Sequence, residues 1–153
     1  MQKKLYGLSF IFVIIDQIIK YVISNNITLN TSINVIDNFF YLTNVHNDGA
    51  AFSILSGNVI FLILMTIISL VVIYFFFIKD KTTSKIEKVF ISMLLGGIIG
   101  NFIDRLIHGY VIDYLETIIF NYHFPIFNFA DICIVLGIIG IMLVGIKNNK
   151  SDN

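Results

Sequence analysis

An all-α membrane protein with four transmembrane helices and a small β-rich region in its extracytoplasmic loops is the fold this sequence predicts. Of the 153 residues 57% are hydrophobic, with no Trp and a single Pro, and the mean hydropathy is +0.88. That is too apolar for a soluble domain. Four stretches, about 5–23, 59–78, 89–107 and 126–146, each approach the roughly 20 apolar residues needed to cross about 30 Å of hydrocarbon. The ten Lys and Arg residues are also unevenly placed, as in a chain oriented by its basic loops.

Span one follows Lys3 and Lys4, which is how a secretory signal peptide begins, but no small-residue cleavage site follows and Asp16 and Lys20 interrupt the run. A retained membrane helix is expected. The loop 24–58 has no Lys or Arg. Within it SINVIDNFFYLTNVHN, from Ser32 to Asn47, is rich in Ile, Val, Phe, Tyr and Thr around an Asp37-Asn38 turn, and predicts short strands forming a hairpin on the outer face of the membrane. Span two is uninterrupted. Lys79, Lys81, Lys85 and Lys88 surround the link to span three, which ends at a terminus signal, His108-Gly109. Lys147 and Lys150 follow span four.

Short basic loops stay cytoplasmic. Both termini are therefore expected in the cytoplasm, with the loop 24–58 and the loop after span three outside. No repeat or linker divides the chain, so 1–153 is expected to be one polytopic domain. The formal net charge of zero hides the asymmetry, and no nucleic-acid partner is expected. Cys133 is the lone cysteine, read as a packing residue within span four.

Ionisable groups in hydrocarbon cost a few kcal/mol each, so they mark functional candidates. Counting about 1.5 Å per residue places Asp16 roughly 16 Å and Asp104 roughly 22 Å from the cytoplasmic side, and Asp131 about 8 Å below the outer surface. Asp113, eight residues after Asp104, joins them at the helix ends. Four carboxylates thus gather toward the outer leaflet. Asn101 and Asp104, and Asn128 and Asp131, are spaced i, i+3, giving each Asp a companion on its helix face. Lys20 is placed either to pair with Asp16 at i, i+4 or to snorkel to the interface. Arg105 is placed to anchor at the interface or bind an anionic group. Gly96, Gly97 and Gly100 read as close helix packing. His46, His108 and His123 have no paired ligand spacing, no Ser has a nucleophile context, and no metal or cofactor is expected.

Five ordered blocks then carry a resemblance: Asp16-Gln17-x-x-Lys20; Asn44-x-x-Asn47-x-Gly49-Ala50-Ala51-Phe52; Gly96-Gly97-x-x-Gly100-Asn101-x-x-Asp104-Arg105; Val111-x-Asp113-Tyr114; and Phe127-Asn128-x-Ala130-Asp131. The chain resembles the lipoprotein signal peptidases, or signal peptidase II family, over essentially its whole length. The resemblance implies an aspartic endopeptidase of the bacterial cytoplasmic membrane that removes signal peptides from prolipoproteins, cutting before a diacylglyceryl-modified cysteine. It implies Asp113 and Asp131 as the catalytic pair, with Asp16, Lys20, Asn47, Gly49, Asn101, Asp104, Arg105 and Asn128 in support. Lipid-modified prolipoproteins, membrane lipid and globomycin-type inhibitors are the implied partners. Tyr114 stands where a Phe is expected. The loop from Asn47 to Phe52 is expected to close over the peptide. An ion-coupled carrier and a structural tetraspan protein are the competing readings of the same intramembrane carboxylates.

Overall fold

The computed structural model describes residues 2–49, 55–79 and 84–151. Ala50, Ala51 and Phe52 of the second block, and with them the expected closing loop, lie outside the described residues, as does Lys81.

Among the described residues four helical stretches are long and apolar enough to span a membrane: α1 (Gln2–Asn26), α2 (Val59–Ile73) with its continuation to Ile78, α3 (Lys85–His108) and α4 (Phe129–Ser151). The five residues Tyr74–Ile78 continue α2 as a π-helix. Large apolar side chains such as Phe10, Ile60, Phe76 and Met142 are exposed along the helices, as expected where lipid is the solvent.

Elementary signals set the ends. Ser84 begins α3 with a capping box, accepting from the Glu87 N–H while the Glu87 carboxylate accepts from the Ser84 N–H. Gly109 ends α3 in the left-handed region at φ 78°, where a β-carbon is disfavoured. The start of α4 lies at Phe129, later than the expected boundary at 126, because Asn128 caps the helix from outside it.

Helix α1 runs parallel to α3: the Ser92 hydroxyl donates to the Leu5 carbonyl at one end and Lys20 meets Asn101 at the other. Helix α4 runs antiparallel to α3, with Ala130 against Gly97 and Gly137 against Leu94. Small residues let these backbones approach, the packing device available where lipid removes the hydrophobic drive between helices. A β-carbon on Gly97 would sit 2.3 Å from the Ala130 carbonyl oxygen.

At the C-terminal ends of α1 and α3 lies a four-stranded antiparallel sheet, in the order β1 (Ser32–Ile36), β2 (Phe40–Asn47), β3 (Val111–Ile119), β4 (Tyr122–His123). The expected hairpin is β1 and β2, closed at Ile36–Phe39 with Asn38 left-handed. The other half of the sheet was not expected: the loop after span three is itself strand, pairing β3 to β2. Its turn holds Phe120 and Asn121 both at positive φ. A Phe there is sterically disfavoured and hides the turn from propensity arguments.

Between Leu42 and Val45 strand β2 carries one extra residue relative to β3. The bulge turns Thr43 toward the Thr31 carbonyl and the Asn44 amide toward the Ile27 carbonyl. It also sets the face: Val45 lies opposite Asp113, so Asn47, two residues on, shares a face with Asp113. Without the extra residue Asn47 would point the other way.

Candidate active site

The first turn of α4 organises the site. A helix start leaves four N–H groups without helical partners, and here side chains accept from all four. The Asn128 N–H donates to Asp131 Oδ2 at 3.1 Å, and the Asp131 N–H donates to Asn128 Oδ1 at 3.0 Å. The Phe129 N–H donates to the Tyr114 hydroxyl at 3.0 Å and the Ala130 N–H to Asp16 Oδ1 at 3.1 Å. Asp131 is thus the reciprocal member of a capping arrangement: its carboxylate accepts from the Asn128 N–H while its own N–H donates to the Asn128 side chain. Tyr114, in place of the expected Phe, supplies an acceptor that Phe lacks; burial pushes its hydroxyl pKa up, so it stays protonated.

Asn128, fully buried, joins the two candidate catalytic carboxylates. Its amide donates to Asp113 Oδ1 at 2.7 Å and to Asn101 Oδ1 at 3.2 Å, while its oxygen holds the Asp131 N–H. Both amide hydrogens are thereby used. Asp113 comes from strand β3 and not from a helix end, as the sequence reading had it. Its Oδ2 accepts from the Asn47 amide at 2.8 Å. Asp131 Oδ1 accepts from the Asn101 amide at 2.8 Å. Burial, with the neighbouring Asp131 charge adding to it, pushes the Asp113 carboxyl up to about 6, against the hydrogen bonds from Asn47 and Asn128 that lower it.

Behind this pair lies a second cluster. Lys20 is 2% exposed and does not snorkel. Its three ammonium hydrogens are directed at Asp16 Oδ2 at 2.8 Å, Asp104 Oδ2 at 2.9 Å and Asn101 Oδ1 at 2.8 Å. A lysine has three donors and no acceptor, so its inventory is complete. Asp104 takes further donors from the Gln17 amide at 2.9 Å and the Ile112 N–H at 3.3 Å; these and Lys20, rather than the expected Asn101, are its companions. Lys20 thereby orients Asn101, and Asn101 orients Asp131. Gln17 and Tyr114 had no assigned role in the sequence, and their places in the first and fourth blocks were the signal for them.

Gly100 makes room for the cluster: a β-carbon there would lie 2.4 Å from Asp16 Oδ2. Gly100→Ala is expected to displace Asp16, destabilising the protein by about 1–3 kcal/mol and lowering activity. Thermal unfolding and turnover of the variant check this, and a midpoint equal to the native one would show that the helices yield without cost.

Arg105 donates to the Gly49 carbonyl at 3.0 Å, and the Gly49 N–H donates to Asn47 Oδ1 at 2.9 Å. The guanidinium therefore supports the backbone beside Asn47. It also lines a cavity of about 590 Å³ between α2, α3 and α4, apolar along Leu62, Ile98 and Ile134 and polar at Asn101, Arg105 and Asp131. A second cavity, of about 350 Å³, reaches Asp113 from the sheet side past Asn47, Asp48 and His123. The two carboxylates stand between an apolar groove and a polar one.

Two of the three histidines meet on one aromatic ring, and the third lies apart from them. His46 stacks on Tyr110 at 3.7 Å between ring centroids, His108 stacks on the same ring at 5.5 Å, and His123 pairs with Glu116. Among the described residues no group of three or more His, Cys, Asp or Glu is arranged to hold a metal ion. Cys133 is buried.

The sequence model of the family described as Signal peptidase (SPase) II matches residues 8–147. The chain belongs to the signal peptidase II family. A lipoprotein signal peptidase of Staphylococcus aureus is 44% identical over 142 residues, covering 92% of this chain and 87% of that protein. Another, from strain JH9, is 42% identical over 139 residues, covering 91% and 85%. Among solved structures, one described as a bacterial membrane enzyme determined by the in meso method at 2.3 Å resolution superposes with a TM-score of 0.88 at 39% identity, covering 99% of this chain and 92% of that one. A second, at 1.9 Å resolution, superposes at 0.82 with 41% identity, covering 93% and 92%. The signal peptidase II fold accounts for four spanning helices combined with a sheet, and membership makes this chain a signal-peptide-processing peptidase of the bacterial cytoplasmic membrane.

Proposed function

We propose that this signal peptidase II is an aspartic endopeptidase that cuts diacylglyceryl-modified prolipoproteins immediately before the lipidated cysteine, using Asp113 and Asp131. The observation that carries the proposal is the pair itself: two buried carboxylates from different elements, bridged by Asn128 and each oriented by a further asparagine.

Two nearby carboxyls cannot both ionise cheaply and share one proton, which provides one base and one acid. The base takes a proton from the attacking water as its oxygen adds to the scissile carbonyl. The acid stabilises the developing oxyanion and then protonates the departing amine, whose C–N bond breaks. The pair titrates as a unit, so the proton belongs to both. One hydrogen bond to each carboxylate oxygen leaves a lone pair on each for this exchange.

The apolar groove suits a signal helix and acyl chains arriving laterally from lipid, and the polar cavity suits the peptide beyond the cut. With basic links facing the cytoplasm, the sheet and the pair face the outer leaflet, and residues 1–153 act as one membrane domain. Globomycin-type cyclic peptides are expected to inhibit by occupying the same groove.

The test is cleavage of a diacylglyceryl-modified prolipoprotein by purified protein in detergent, with the product mass determined. The expected product begins at the lipidated cysteine; a cut elsewhere, or equal cleavage of unlipidated precursor, overturns the substrate assignment. Because carboxylates alone carry the chemistry, chelator is expected to leave the rate unchanged, and loss of activity restored by a divalent cation would sink the two-aspartate mechanism.

A further inference from the structure

At the end of the helices remote from the sheet, the N-terminal turns of α1 and α3 enclose a cavity of about 710 Å³ lined by Lys3, Lys4, Lys85 and Lys88 together with Leu5, Leu8, Val89 and Ser92. None of the four lysines forms an ion pair with a described acid. Glu87, the nearest acid in the described sequence, directs its carboxylate to the Ser84 N–H. The Ser92 hydroxyl is satisfied by donation to the Leu5 carbonyl. The cavity therefore combines four lysines, none ion-paired with an acid among the described residues, with an apolar wall. Ile86 and Val89, in the same turns of α3, are exposed, which opens the wall to the lipid-facing surface.

We propose that this cavity binds one anionic phospholipid, its phosphate among Lys3, Lys4, Lys85 and Lys88 and an acyl chain along Leu8 and Val89. Orientation of a membrane chain by its basic residues requires only that they lie on the cytoplasmic side; it does not require four lysines from two helices to line one cavity. That convergence is what a headgroup recognises, and the adjoining apolar wall selects a lipid over a small soluble anion. The leaflet, the cytoplasmic one, rests on the topology proposed above, whereas the cavity does not. Lipid bound here would tie α1 to α3, the same parallel pair that carries Asp16, Lys20, Asn101 and Asp104 farther along.

Native mass spectrometry of the purified full chain in detergent, titrated with phosphatidylglycerol or phosphatidylcholine, tests the proposal independently of peptidase activity. The native protein is expected to retain one phosphatidylglycerol in preference to phosphatidylcholine. Lys85→Gln/Lys88→Gln is expected to weaken that retention roughly fivefold per lysine, while a Lys79→Gln/Lys147→Gln control, neutralising basic residues outside the cavity, keeps it. Circular dichroism and a native-like thermal unfolding midpoint verify that both variants are folded. Equal retention of the two lipids, equal weakening in the control, or no change in the cavity variant overturns the assignment.

Discussion

Asp113→Asn and Asp131→Asn are each expected to lower prolipoprotein cleavage by roughly 10²–10⁴-fold, the contribution of a positioned acid or base, with the folded protein still recovered. An amide can neither take the proton from water nor return it to the amine, so the two losses are comparable and the double variant is little worse than either single one. Turnover near the native rate in either variant would assign the chemistry to other residues and revive the scaffold or carrier readings.

The same carboxyl predicts a pH signature in stability. A buried Asp113 with its pKa raised to about 6 binds more protons folded than unfolded between the ordinary carboxylate range and pH 6. Its contribution is therefore fully present at low pH and is lost as pH rises through that window. In thermal unfolding from pH 4 to 7, the native protein should show this decline and Asp113→Asn a flatter curve. Comparing slopes removes the fixed offset from the hydrogen bond that the amide loses to Asn47 or Asn128. Parallel curves would mean that Asp113 titrates normally.

Lys20→Met has the largest expected effect on folding. The change leaves Asp16 and Asp104, 1% and 2% exposed, without their shared cation and removes a donor to Asn101. Breaking a buried pair by deleting one partner costs about 3–5 kcal/mol, because the remaining charge is uncompensated. The variant should unfold at markedly lower temperature and cleave slowly even where folded, since Asn101 no longer has Lys20 to orient it toward Asp131. Adding Asp104→Asn to Lys20→Met should restore part of the lost stability, a coupling that a double-mutant cycle measures. A native-like midpoint for Lys20→Met would show that the triad contributes specificity without stability.

The four spans were legible in the sequence because lipid imposes a length and composition on any crossing helix. The hairpin from Ser32 to Asn47 was legible from β-branched and aromatic residues around Asp37-Asn38. The pairing of β3 to β2 was not: strand partners distant in sequence leave no local signal, and the bulge between Leu42 and Val45 that faces Asn47 toward Asp113 shifts register without altering composition. Asn128 was legible as a neighbour of Asp131 by spacing, but not as the residue joining it to Asp113.

By itself the sequence determined a four-span membrane protein with carboxylates in hydrocarbon, because burying unneeded charge in lipid is too costly to be incidental. The five blocks determined its family resemblance. The resemblance paired Asp113 with Asp131, but only the tertiary structure decided which residues join the carboxylates: Asp16 and Asp104 are joined through Lys20, while Asp113 and Asp131 are joined through Asn128. The physical reason is that hydrogen-bond donors are allotted one by one in space. The three hydrogens of Lys20 and the two of the Asn128 amide are consumed by particular acceptors, and spacing along the chain offered only Asp16 to Lys20, leaving the acceptors on other elements to the fold.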